Sequence, residues 1–289
     1  MRSEKEMMDS IMRFAEEEPA VRAAVLNGSR VNPHAAKDRF QDYDIVFFVN
    51  EVRHWVEDRS WIGRFGDILI MQLPDEGTLL ADEPRESFAY LMLFADGNRI
   101  DLTFSPAREL PEWKHDSLTL VLLDKDGLIG QLPPPNLNDY MTEHPSQSHF
   151  AECCNEFWWV GTYIAKGLAR GELYYAKFHI ERPVRDMLIY MLNWYIAAGS
   201  NFKANPGKLG KYYEQLLPPD MWSKFKLTFA DSDPEKIWKA LFMMCDLFRE
   251  AAEETAERLG YVYNRDEDRR VSAYLKSIYQ SMFPGNGVS

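Results

Sequence analysis

Cysteine is scarce in this chain: Cys153, Cys154 and Cys245 are the only three among 289 residues. Adjacent cysteines rarely bridge each other, and no zinc-knuckle spacing exists, so neither a disulfide scaffold nor a cysteine-based metal site is expected. His144, His149 and His179 form no ligand spacing either. No apolar run approaches the ~20 residues a membrane-spanning helix needs. The charged stretch from Met1 to Glu6 leads into an amphipathic pattern rather than a secretory leader. Basic residues are also in deficit: 33 Lys and Arg against 45 Asp and Glu leave a net charge of -12. That balance disfavours nucleic acid as a partner, because phosphates need basic surface. It suits a cationic small molecule, although many soluble proteins are equally acidic. Internal repeats, low complexity and heptads are lacking. What remains is a reduced, cytoplasmic protein with neither a membrane nor a nucleic-acid partner.

Against these absences, 46% hydrophobic and 13% aromatic residues promise a packed core. Ser3 to Glu17 repeats apolar residues at helical spacing and is followed by Pro19. Val21 to Leu26, Ile45 to Val49 and Ile68 to Leu73 read as strands. Tyr90 to Phe94 and Asn98 to Phe104 flank Asp96-Gly97, a strong hairpin signal. The run Pro133-Pro134-Pro135 then marks a domain boundary. Beyond it the pattern turns helical: Ser148 to Arg170, Glu172 to Ala198 with a kink near Pro183, Pro234 to Leu259, and about Arg269 to Met282. The expected class is α+β, with a mixed sheet in residues 1–135 and a helical bundle in 136–289.

The chemistry concentrates in the first part. Asn27-Gly28-Ser29-Arg30 ends a strand, Asp42-Tyr43-Asp44 opens the next, and Arg99-Ile100-Asp101 lies on a later one. Residues i and i+2 of a strand share a face, so Asp42 and Asp44 point together. A third acid beside them would make a set of hard oxygen donors suited to Mg²⁺. The amides around Gly28 and Ser29 can cradle a phosphate, with Ser29 as a natural helix N-cap. Arg30 is a candidate contact for a triphosphate or an ordinary surface charge. An Asp-x-Asp or a Gly-Ser alone is common; the ordered combination is not, and it points to metal-assisted nucleotidyl transfer. In the helical part, Lys166 is a candidate phosphate contact. Glu152, Glu156, Glu181 and Asp186 are candidate partners for guanidinium groups, which suit bidentate carboxylates.

These residues resemble the DNA polymerase β-like nucleotidyltransferases, whose pattern is a hydrophobic residue, Gly-Ser, Asp-x-Asp and a third acid. Phe40-Gln41-Asp42-Tyr43-Asp44-Ile45, Ile100-Asp101-Leu102-Thr103, Leu122-Leu123-Asp124-Lys125-Asp126 and Cys153-Cys154-Asn155-Glu156-Phe157-Trp158 are similar, within that superfamily, to the aminoglycoside 6-adenylyltransferases. The resemblance implies ATP as donor and Mg²⁺ held by Asp42, Asp44 and Asp101. It implies a hydroxyl of streptomycin, at the 6-position of its streptidine ring, as acceptor, with pyrophosphate released and antibiotic resistance as the outcome. A different acceptor (another aminoglycoside, a lincosamide or a protein hydroxyl) and a non-catalytic nucleotide-binding module are the alternatives.

Overall fold

The computed structural model describes residues 1–76 and 86–284. The chain divides into two compact units, Met1–Asp139 and Tyr140–Ser289.

The first unit is built on a sheet. Helix α1 (Glu4–Glu17) starts at a capping box in which the Ser3 hydroxyl accepts from the Glu6 amide and the Glu6 carboxylate accepts from the Ser3 amide. It leads into β1 (Val21–Asn27), a short 3₁₀ turn over Gly28–Arg30, and β2 (Tyr43–Val49). Helix α2 (Val52–Glu57), β3 (Ile68–Gln72), β4 (Phe88–Phe94), β5 (Arg99–Pro106) and β6 (Thr119–Asp124) follow. The six strands lie in the order β3-β4-β5-β2-β1-β6. β2 and β5 run parallel; every other neighbouring pair is antiparallel. The sheet is therefore mixed. Strand β6 and helix α2 carry no strong turn or period signal and were not expected.

Alternation along β2 explains which face does what. Tyr43, Ile45, Phe47 and Val49 are buried in the larger core, under α1. Phe14 of α1 stacks on Phe47 with ring centroids 5.5 Å apart, and Trp55 stacks on Phe104 at 4.8 Å. The hydroxyl of Tyr90 and the indole N–H of Trp61 both donate to the Trp55 carbonyl, at 2.8 and 3.1 Å. The opposite face carries a smaller cluster of Ala23, Val25, Phe48 and Leu110. Asp44, Val46 and Phe48 belong to that second face, so the acids are mounted on the back of the aromatic core.

The second unit is helical: α3 (Gln147–Ala169), α4 (Leu173–His179), α5 (Arg185–Gly199), α6 (Tyr213–Leu216), α7 (Pro219–Leu227), α8 (Pro234–Leu259) and α9 (Arg265–Met282). Pro183 does not break the chain between α4 and α5. A π-helical segment, Ile180–Val184, absorbs it. Helix α9 starts four residues earlier than its apolar period suggests, because the Asn264 side chain caps the amide of Glu267. Phe157 and Phe248 stack 3.8 Å apart at the centre of the bundle. Beside them Trp158 donates to the Tyr263 hydroxyl (3.2 Å), which donates to Asp268 (3.0 Å), itself gripped by Arg249. All three cysteines are free and buried, and burial pushes each thiol well above its ordinary value, which leaves them unreactive. Among the described residues no helix is long and apolar enough to cross a membrane.

The β4–β5 turn that presents Asp101 is tied by one carboxylate. Asp96 accepts from the Arg2 side chain (2.8 Å), the Arg2 amide (3.0 Å), the Asn98 amide (3.0 Å) and the Asn98 carboxamide (2.9 Å). The Arg2 guanidinium, then these amides, hold its carboxyl well below the usual carboxylate range. The unfolded chain binds that proton more readily, so the stabilisation is complete at neutral pH and fades as pH falls below about 4. Asp96→Asn is expected to cost about 1–2 kcal/mol at pH 7, with a gap to wild type that narrows in urea titrations below pH 4.

Candidate active site

Parallel pairing of β2 with β5 sets Asp44 opposite Asp101. Asn27 at the end of β1 is the partner of Asp44 on the other side, and Thr119 of β6 is the partner of Asn27. A polar row thus crosses four strands on the face behind the aromatic core: Asp101, Asp44, Asn27, Thr119. The Thr119 hydroxyl, buried, donates to the Asn27 side-chain oxygen at 2.9 Å, which fixes the orientation of that carboxamide. Asp42 lies two residues before Asp44, on the same face. Of the row, sequence reasoning found only the acids. Asn27 was visible as the strand residue before Gly28, but its partners depend on register.

The three aspartates share a face without closing into a ready cage. Among the described residues no three His, Cys, Asp or Glu side chains converge as metal ligands do. Arg99, two residues before Asp101 and on its face, lies among the three aspartates. Its guanidinium grips Asp101 with two parallel bonds, Nε to Oδ1 and Nη2 to Oδ2, both 2.7 Å. Its Nη1 reaches to 3.6 Å from Asp42 Oδ2. This fork raises the pKa of Arg99 further, chiefly through Asp101. Burial pushes the Asp42 carboxyl above its ordinary value; Arg99 and Arg30 pull it back and Asp101 pushes it up again. The donor set, three carboxylates with no nitrogen or sulfur, fits a hard divalent cation such as Mg²⁺. Arg99 was legible in principle, since it stands at i−2 from Asp101, yet a lone arginine at a strand's start reads as solvated charge.

The Gly-Ser turn differs in detail from expectation. Gly28 takes φ +75°, a backbone state open to glycine. A Cβ built there would lie 2.3 Å from Asp44 Oδ2, so the turn is pressed directly against the second acid. The Gly28 amide is spent on the Leu118 carbonyl at 3.1 Å. Asn27, not Ser29, stands at the N-cap position, and its side chain makes no capping bond; Ser29 sits inside the 3₁₀ turn because Gly28 already opens it. The leading N–H groups of that turn, at Ser29 and Arg30, are those a short helix leaves without intrahelical partners.

Arg30 is not a surface charge. Its side chain is 6% exposed, donates to the carbonyls of Asp42 (3.0 Å) and Gln41 (2.6 Å), and stacks over Tyr43 at 3.6 Å. Gln41 donates back to the Ser29 carbonyl at 3.1 Å. Together these contacts staple the Gly-Ser turn to the start of β2. The guanidinium is thus committed to the backbone, where the sequence suggested a triphosphate contact or a surface charge.

In the helical unit, Glu152, Glu156 and Lys166 are exposed on α3, on a stripe that also carries Trp159 and Tyr163. Trp159 is 59% exposed and donates to the Tyr163 hydroxyl at 2.7 Å; Lys166 Nζ lies 5.7 Å from the Tyr163 ring centroid. The adjacent Trp158 is core, since one residue turns about 100° around the helix axis. Asp186 is exposed on α5. Glu181 is different: it pairs with the buried Arg185 (2.8 Å) and with Lys177 (3.4 Å).

Gly28→Ala is expected to lower stability by about 1–3 kcal/mol, read from the urea midpoint. Asp44→Ala should recover part of that loss in the double variant, because it vacates the space the new methyl needs.

Comparison with known proteins bears on the chain as a whole. The family model described as streptomycin adenylyltransferase matches residues 1–278. The chain is 38% identical over 284 residues to an aminoglycoside 6-adenylyltransferase of Bacillus subtilis (strain 168), covering 98% of this chain and 100% of that one. It is 37% identical over 276 residues to the enzyme of the same name from Campylobacter jejuni, covering 95% of each. The crystal structure of an aminoglycoside 6-adenyltransferase from Bacillus subtilis covers 96% of this chain and 99% of its own, at 35% identity and a TM-score of 0.47. Matched by the family model over residues 1–278 and by the Bacillus subtilis relative over 98% of its length, this chain belongs to the streptomycin adenylyltransferase family of nucleotidyltransferases.

Proposed function

We propose that the protein transfers AMP from ATP to a hydroxyl of streptomycin, at the 6-position of its streptidine ring, and releases pyrophosphate. The observation that carries this reading is the in-register pairing of Asp44 with Asp101, with Asp42 on the same face. Asp42, Asp44 and Asp101 would hold Mg²⁺, with Asp101 also placed to take the proton of the attacking hydroxyl. Bound there, the ion would supply positive charge to the phosphates and to the attacking and leaving oxygens. The hydroxyl oxygen forms a bond to the α-phosphorus as the bond from that phosphorus to the bridging oxygen breaks. The electron pair leaves with pyrophosphate. The rigid sheet supplies orientation and fixed charge, the terms that dominate such transfers.

Gly28 and Ser29 are assigned to the leaving phosphates through the turn they build: Gly28 opens it at positive φ, and the leading amides at Ser29 and Arg30 are the donors. Arg30 is assigned a positioning role, holding the Asp42 carbonyl rather than the nucleotide. The acceptor's guanidinium groups are assigned to Glu152, Glu156 and Asp186, whose carboxylates are exposed. Glu181 already serves Arg185 and Lys177. Lys166 remains a candidate phosphate contact. The net charge of -12 supports a polycationic acceptor. We place the protein in the cytoplasm, where ATP is at hand and its three thiols stay reduced; resistance to the antibiotic is the expected consequence.

Mass spectrometry of streptomycin incubated with the protein, ATP and Mg²⁺ should show one added adenylyl group. An unmodified antibiotic, with modification of another acceptor in a panel, would replace this substrate assignment. Asp42→Asn should cut pyrophosphate release by roughly 10³-fold while leaving the far-UV spectrum unchanged; near-normal turnover would refute the site.

A further inference from the structure

The fork between Arg99 and Asp101 has no part in the transfer chemistry as derived, yet it occupies the middle of the acid cluster. We infer that Arg99 is a resident counter-ion of the three aspartates: it stands in for the divalent cation and must release Asp101 before that cation can be held. This inference rests on the metal-binding reading of Asp42, Asp44 and Asp101.

Three observations support it. Both Asp101 oxygens are engaged by Arg99 at 2.7 Å, so a cation at Asp101 would sit against the like charge of the guanidinium unless the fork opens. The same guanidinium lies 3.6 Å from Asp42, so a single cationic group links two of the three acids, as a metal would. The fork is also built to open: the Arg99 side chain is 41% exposed and that of Asp101 20%. The fork's two bonds are strong, but this exposure lets water and an arriving ion compete for both partners. The neighbouring groups show why a counter-ion is needed. Asp44 and Asp101 are opposite one another on adjacent parallel strands, and like charges directly opposite repel. Arg30, the other nearby cation, is turned to backbone carbonyls, to Tyr43 and to Glu4 at 3.7 Å, which leaves Arg99 as the cation in direct contact with the acids. A divalent cation brings twice the charge into the same place, so exchange is favoured once it arrives with its anionic nucleotide.

The test uses the full chain and Mn²⁺ alone as the probe, titrated without nucleotide and followed by its paramagnetic resonance signal. Removing a unit charge a few ångströms from the cation should tighten binding by about tenfold. Arg99→Gln is therefore expected to bind Mn²⁺ about tenfold more tightly than wild type, and Arg99→Lys, which keeps the charge but loses the fork, only slightly more tightly. Metal-free Arg99→Gln should melt at a lower temperature than wild type and gain more from added Mn²⁺, since the Arg99 bonds to Asp101 are lost and the repulsion among the acids is less offset. Unchanged or weaker Mn²⁺ binding in Arg99→Gln, with Asp101→Asn still abolishing binding in the wild-type background, overturns the counter-ion while leaving the metal site standing. Mn²⁺ binding that is indifferent to Asp101→Asn overturns both. Equal Mn²⁺ affinity with a weakened affinity for ATP would make Arg99 a nucleotide contact instead and likewise end the proposal.

Discussion

Two negative charges on neighbouring strands are the constraint around which the first unit is organised. β2 and β5 run parallel and in register, so Asp44 and Asp101 face each other across one backbone spacing. Such a pair is unfavourable unless something positive sits between or beside it. The rest of the site answers that problem. Arg99 forks onto Asp101, Arg30 fixes the backbone of Asp42, and Gly28 gives up its side chain so that Asp44 has room. The aromatic core on the reverse of the sheet supplies the rigidity that keeps like charges from drifting apart. Phe14, Phe47, Trp55, Trp61 and Phe104 pack ring against ring there, at centroid distances of 4.8 to 6.2 Å.

The helical unit solves a different problem with the same economy of position. Its long helices put aromatic residues inward, as at Phe157 and Phe248, while α3 turns Glu152, Glu156, Trp159 and Lys166 outward. Buried charge is tolerated only where it is fully met. Arg185 finds Glu181, the Thr228 hydroxyl at 2.8 Å and the Thr228 carbonyl at 3.0 Å, with its guanidinium over Phe229. Glu181 lies in the π-helical segment forced by Pro183, so the irregular turn and the buried ion pair occur together.

Much of this was legible in the amino-acid order, because the signals are local. Asp96-Gly97 announces its hairpin, Asp233-Pro234 opens α8 with the Asp233 side chain capping the Lys236 amide, and Gly260 closes it in a left-handed conformation. The acids of the site announce themselves by the spacing of Asp42 and Asp44 and by the apolar flanks of Asp101. What escaped depends on register or on side-chain reach. Asn27 and Thr119 join the polar row only once β1 is paired with both β2 and β6. Arg30 and Arg99 look alike as isolated basic residues, yet one is buried against carbonyls and the other lies on a carboxylate. The sequence suggests the Gly28 amide as a phosphate donor, and only the pairing of β1 with the segment before β6 reveals that the Leu118 carbonyl takes it.

The staple made by Arg30 has a consequence for how this scaffold can change. Because one guanidinium ties the carbonyls of residues 41 and 42 back to the turn that precedes them, the excursion through residues 31–40 is closed at its neck. Its path therefore need not be held by its own sequence for the acids downstream to keep their places. An exposed loop relieved of that duty can be lengthened, shortened or rewritten at small thermodynamic cost while the strands on either side keep their register.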